Sequence, residues 1–136
     1  MFTTTTVLTL SIAKAFGVYM IAAGISGLTM KDRWQRLITE LRDSAALSYI
    51  TGVFVFAIGC TIVMIHNLWL DPLSIIVTLI GWGALVEGLL FIAIPRWFLG
   101  ISVSLVKPAT FPTFAAIAIL AGLALTFAGF VGVAAL

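Results

Sequence analysis

The sequence predicts an all-α membrane protein: a four-helix transmembrane bundle that reads as two duplicated helical hairpins. Three observations carry that prediction. Of 136 residues, 62% are hydrophobic and only 9% are charged, where soluble domains hold roughly 45–50% and about 25%. Four uninterrupted apolar runs are each long enough to cross a bilayer. Almost all the basic residues gather in alternate connections. So few charges cannot cover a water-facing surface, so most of the surface must face lipid.

A helix needs about 20 mostly apolar residues to span ~30 Å of hydrocarbon. The qualifying runs cover about Val7 to Met30, Ser44 to His66, Pro72 to Ile94 and Thr113 to Leu136, within one domain of residues 1–136. They are continuous rather than alternating, which marks helices and not barrel strands. The N-terminal Met1 to Thr6 has no basic stretch before the first run, so that run is expected to be a retained helix and not a cleaved signal.

The boundaries carry local chemistry. Ser44 is placed to cap the second span. Asp71-Pro72 sets a capping carboxylate before a proline at the first helical position of the third. Pro95 closes that span, and Pro108 and Pro112 break the chain before the fourth. Lys31, Arg33, Arg36 and Arg42 fall in the first connection, and Arg96 and Lys107 in the third; the Asn67–Asp71 turn has no Lys or Arg. The positive-inside bias then places segments 31–43 and 96–112 in the cytoplasm and both termini outside, periplasmic in a bacterial inner membrane.

The first connection is a helix in its own right. Trp34, Leu37, Ile38 and Leu41 repeat at helical spacing opposite a charged face, the pattern of an amphipathic segment lying in the interface over about residues 31–43. Trp34 and Trp97 are the expected interface anchors, with docking to a partner subunit as the sharper reading of Trp34.

Each span carries two glycines seven residues apart: Gly17 and Gly24, Gly52 and Gly59, Gly81 and Gly88, Gly122 and Gly129. That spacing puts each pair on one helix face. Small residues let backbones approach where lipid supplies no hydrophobic drive. The recurrence also reads as a parallel repeat of two hairpins.

Ionisable groups inside a span are costly and normally face protein or water. Lys14 and Glu87 are the two candidates. Glu87 follows Gly83 and Ala84, a small-residue face expected to point inward. The two could form a bundle-locking pair; other readings are a snorkelling Lys14, a proton or ion relay, or a Glu87 kept neutral by apolar surroundings. His66 continues the Gly52–Gly59 stripe and should point inward near the outer surface, in a polar turn with Asn67, Trp69 and Asp71. It reads as an interfacial cap, with axial ligation or catalysis with Asp71 as weaker readings. No metal-ligand spacing, phosphate loop or nucleophile motif is present, so no catalytic residue, metal or cofactor is expected. A net charge of +2 gives no reason to expect nucleic acid as a partner.

His66-Asn67-Leu68-Trp69, Val77 to Trp82, Gly88 and Pro95 resemble a family of small uncharacterised bacterial inner-membrane proteins. Its marks are four spans, an HN-x-W turn and a GW…G…P helix. The resemblance covers about a third of the chain and implies four bacterial inner-membrane spans without an activity. The leading functional expectation is a non-enzymatic accessory or assembly subunit of a larger membrane complex, because few polar groups line the spans. A homo-oligomer acting as a small transporter or channel through Lys14 and Glu87 is the second reading. A membrane enzyme or cofactor carrier using His66 is the third.

Overall fold

A computed structural model describes residues 3–4, 6–105 and 107–135. Six helices follow in order: α1 (Val7–Thr29), α2 (Lys31–Asp43), α3 (Ala45–Ile65), α4 (Pro72–Ala93), α5 (Pro95–Leu105) and α6 (Phe111–Val131). Of these, α1, α3, α4 and α6 are long and apolar enough to cross a membrane. With 21 to 23 residues each, they measure roughly 32–35 Å, a match to the hydrocarbon thickness. The chain is an integral membrane protein.

Helix ends follow the side chains placed there. The Thr6 hydroxyl accepts from Thr9 N and opens α1. Ser44 does the same for Leu47 N at the start of α3. Asp71 and Ser74 form a reciprocal capping box around Pro72 at the start of α4. Three boundaries differ from the sequence reading. Pro95 does not simply end a span; it opens α5, so the third connection is largely helical. Pro112 lies inside the first turn of α6, where its missing N–H costs nothing, and α6 starts at Phe111. At its far end α6 stops at Val131, because Val133–Ala134 (β2) leaves the helix to pair in parallel with Thr3–Thr4 (β1). Leu136, the expected helix end, lies outside the described residues.

The spans pack as two antiparallel pairs, α1 with α6 and α3 with α4, joined mainly along α1 and α4. The bundle is therefore open, with the spans ordered α6, α1, α4, α3. Its buried core lies toward the β1–β2 end, where Leu10 and Ala13 meet Leu73, Val77 and Leu125. At the opposite end α2 rests on α3 and α5. Trp34 donates to Ser26 Oγ at 3.0 Å and stacks obliquely on Phe111, with ring centroids 6.0 Å apart. Both contacts tie that half-buried indole to α1 and α6. Trp97 is 58% exposed.

The glycine pairs mark the close approaches. A Cβ on Gly122 would lie 2.7 Å from Gly17 O and 2.9 Å from Ile21 N. A Cβ on Gly24 would lie 2.7 Å from Ala115 O, and one on Gly129 2.9 Å from Leu10 O. In the other pair, Gly59 faces the Ala84–Leu85 backbone, Gly88 faces the Phe56 backbone, Gly52 faces Phe91, and Gly81 takes Ile62. The registers differ, however. Gly17 crosses Gly122, whereas the carbonyl facing Gly52 belongs to Gly88 and not to Gly81. The glycines recur along the chain more regularly than the two pairs pack.

Candidate functional site

The largest buried polar group sits where the two helix pairs meet at the β1–β2 end. His66, the C-cap of α3, is 0% exposed, as are Thr9, Ser74 and Thr78. Its Nε2 lies 2.7 Å from Thr9 Oγ1 on α1, and its Nδ1 lies 3.1 Å from Thr78 Oγ1 on α4. One imidazole thus bridges three spans.

Counting donors assigns the protons. The Thr78 hydroxyl donates to Leu68 O at 2.8 Å and accepts from Leu68 N at 3.1 Å. Its single hydrogen is used, so His66 Nδ1–H must donate to it. In the neutral ring Nε2 is then an acceptor, and Thr9 Oγ1 donates to it. Thr6 Oγ1, 3.0 Å from Thr9 Oγ1, donates in turn and accepts from Thr9 N at 3.2 Å. Every side-chain group in this Thr6–Thr9–His66–Thr78 relay is satisfied, and neither ring nitrogen is free. An axial ligand would need one of them. Among the described residues no three of His, Cys, Asp and Glu stand close enough to hold a metal.

Asp71 makes a second clasp beside the first. Thr4 Oγ1 donates to its Oδ2 at 2.6 Å, and Ser74 N donates to the same oxygen at 3.2 Å. The Thr4 carbonyl accepts from Ala135 N at 2.8 Å. The chain ends and the 66–71 turn are thereby tied together. Asn67 Oδ1 gathers the indole N–H of Trp69 at 2.9 Å and of Trp82 at 3.4 Å. Of the residues singled out in the sequence, His66, Asn67, Trp69 and Asp71 do lie together. Thr4, within a threonine run, and Thr9, Ser74 and Thr78, hydroxyls in apolar context, complete the clasp and carried no further signal.

Lys14 and Glu87 are not brought together. The Lys14 ammonium stands 5.1 Å from the Phe130 ring centroid on α6, a cation–π contact. Glu87 opens into a cleft of about 400 Å³ lined by Ala15, Phe16 and Tyr19 of α1 and Val55 and Ile58 of α3. Glu87 is exposed, facing α1 and α3 across that open cleft. Gly88, one residue on, is the position that packs on α3, and 100° of helical rotation turns Glu87 off that seam. A Cβ at Gly83, one turn earlier, would meet nothing within 4 Å. Among the described residues no donor or cation stands within bonding distance of the Glu87 carboxyl. Glu87 lies six residues before the end of α4, roughly 9 Å inside the span.

On the far side of the α1–α4 seam a second cleft, of about 620 Å³, is almost wholly apolar, with Met20, Leu73, Ile80 and Ala128 in its walls. Outward faces are lipid-like throughout: Met64, Phe127 and Phe130 are 79%, 67% and 71% exposed.

Fold and site together define a four-span integral membrane protein with a self-contained polar clasp and one carboxyl turned sideways. No family model matches the chain, and neither a curated protein nor a solved structure matches it.

Proposed function

We propose that this chain is a non-enzymatic membrane subunit that acts by docking, through the Glu87 cleft, against a span of another membrane protein in a larger complex. The observation that carries the reading is the placement of Glu87. A charged carboxylate costs roughly 2.5–3.5 kcal/mol at the centre of a lipid-facing span and less toward its ends, where Glu87 stands, and the described residues supply it with no internal partner. A neighbouring span offering a hydrogen-bond donor or a cation removes that cost. The clasp around His66 supports the same view, since all its polar groups are consumed in holding the helices together. The sequence resemblance to small bacterial inner-membrane proteins and the positive-inside bias suggest the setting: an inner membrane, with α2 and α5 on the cytoplasmic side and the clasp in the periplasm.

Gly83 provides the test, because a side chain added there meets open space. A photoreactive residue at position 83 is expected to cross-link to a second polypeptide in native membranes. Interhelical polar contacts in membranes contribute roughly 0.6–2 kcal/mol, so Glu87→Leu should lower the adduct about three- to thirtyfold. Adducts to lipid alone would remove the proposal, and adducts to a second copy of this chain would make the assembly a homo-oligomer.

A second reading, a small oligomeric transporter, draws on the two aromatic rings, Phe16 and Tyr19, that share the cleft with Glu87. A carboxyl beside aromatic faces suits a lipophilic cation. Flux of such a cation into liposomes that Glu87→Gln abolishes would favour it; baseline flux in the wild type would dismiss it. Lys14, held over Phe130, is no part of that cleft.

A further inference from the structure

At the end of the molecule away from the clasp, a hollow of about 550 Å³ is enclosed by the last turns of α2 and α4 and the first turns of α3 and α5. Its floor is apolar: Phe91 and Leu99 are 6% and 5% exposed. Its rim carries Arg42 from α2 and Arg96 from α5, with the Tyr49 hydroxyl and one opposing charge, Asp43. Among the described residues neither guanidinium has a carboxylate within ion-pairing distance. The N-termini of α3 and α5 and the C-termini of α2 and α4 share this space, so the helix dipoles largely offset one another and the two arginines set its charge.

A charged rim over an apolar floor, at the depth where spans give way to an interfacial helix, has the shape of an amphiphile with an anionic head. We propose that this hollow binds a phosphate ester of the surrounding leaflet: an anionic phospholipid whose phosphate is held by Arg42 and Arg96 and whose first acyl carbons cover Phe91 and Leu99. Arginine's fork matches phosphate oxygens two at a time, which lysine cannot do. Asp43 opposes the anion and limits its affinity.

The test uses the full chain in phosphatidylcholine nanodiscs containing a small fraction of phosphatidylglycerol, with retained lipid read by native mass spectrometry. Wild type is expected to enrich phosphatidylglycerol. Each arginine contributes about fivefold, so the Arg42→Gln, Arg96→Gln double variant should lose about 25-fold. Asp43→Asn should raise retention. Arg33→Gln with Arg36→Gln, on α2 but outside the hollow, should leave it near wild type. The Arg42→Lys, Arg96→Lys variant keeps the charge and guards against misfolding; it should retain an intermediate level. Equal losses from the Arg33/Arg36 pair and the Arg42/Arg96 pair would reduce the effect to general surface charge and overturn the site. Full displacement by millimolar inorganic phosphate would show that the floor plays no part, and would overturn the lipid assignment in favour of free phosphate.

Discussion

Removing His66 should destabilise the helix arrangement more than removing any other single side chain of the 66–71 turn. In His66→Ala the two ring hydrogen bonds to Thr9 and Thr78 are lost, at about 1 kcal/mol each. The side chain is fully buried, so an imidazole-sized void of roughly 60 Å³ adds about 1.5 kcal/mol at about 24 cal/mol per Å³. The expected cost is about 3–4 kcal/mol. Thr78 keeps its two bonds to Leu68, and Thr9 keeps Thr6, which holds the figure below that of a wholly orphaned pair. Thr9→Val keeps the shape but leaves Nε2 without its donor, at about 1–3 kcal/mol. Reversible unfolding in mixed dodecyl maltoside and dodecyl sulfate micelles, followed by circular dichroism, measures both variants and the double variant. The two substitutions act on one bond, so their effects should fall short of the sum by about 1 kcal/mol. Additivity to within about 0.3 kcal/mol would refute the bridge between α1 and α3.

Other expectations follow from named contacts and use the same unfolding assay. Gly88→Ala places a methyl 2.5 Å from Phe56 Cα, and should cost about 1–3 kcal/mol by overpacking, whereas Gly83→Ala, in open space, should be neutral or gain up to about 1 kcal/mol from helix propensity. The Thr126 hydroxyl is buried without a hydrogen-bond partner at the Gly17 crossing, so the near-isosteric Thr126→Val should stabilise by about 1 kcal/mol; a loss of stability would mean that the hydroxyl has a partner. Asp71→Ala removes both the α4 cap and the Thr4 contact, and should cost about 2 kcal/mol, at the upper end for caps.

The spans were legible because twenty uninterrupted apolar residues have few alternatives in lipid. The caps at Ser44 and Asp71 were legible because a hydroxyl or carboxylate before an apolar run has a local job, readable without the rest of the fold. Pairing was not. Whether Lys14 meets Glu87 depends on how α1 and α4 rotate against each other, and a shift of one position decides whether Gly88 or Glu87 lies on the seam. α5 was hidden because Pro95 ends one helix and opens the next with the same ring geometry. The β1–β2 pairing is two residues long on each side, too short for alternation to register. Thr9 and Thr78 sit inside apolar runs, where a lone threonine is unremarkable until a histidine from another helix arrives beside it.

A hydrophobic carbodiimide tests the docking of Glu87 most directly, because it enters lipid and converts accessible carboxylic acids to stable N-acylureas that peptide mass spectrometry locates. Glu87 should be protected in native membranes, where a partner span covers it, and should label readily once the chain is purified alone in detergent. Equal, rapid labelling of Glu87 in both states would mean that nothing covers the cleft, and would contradict the proposed docking.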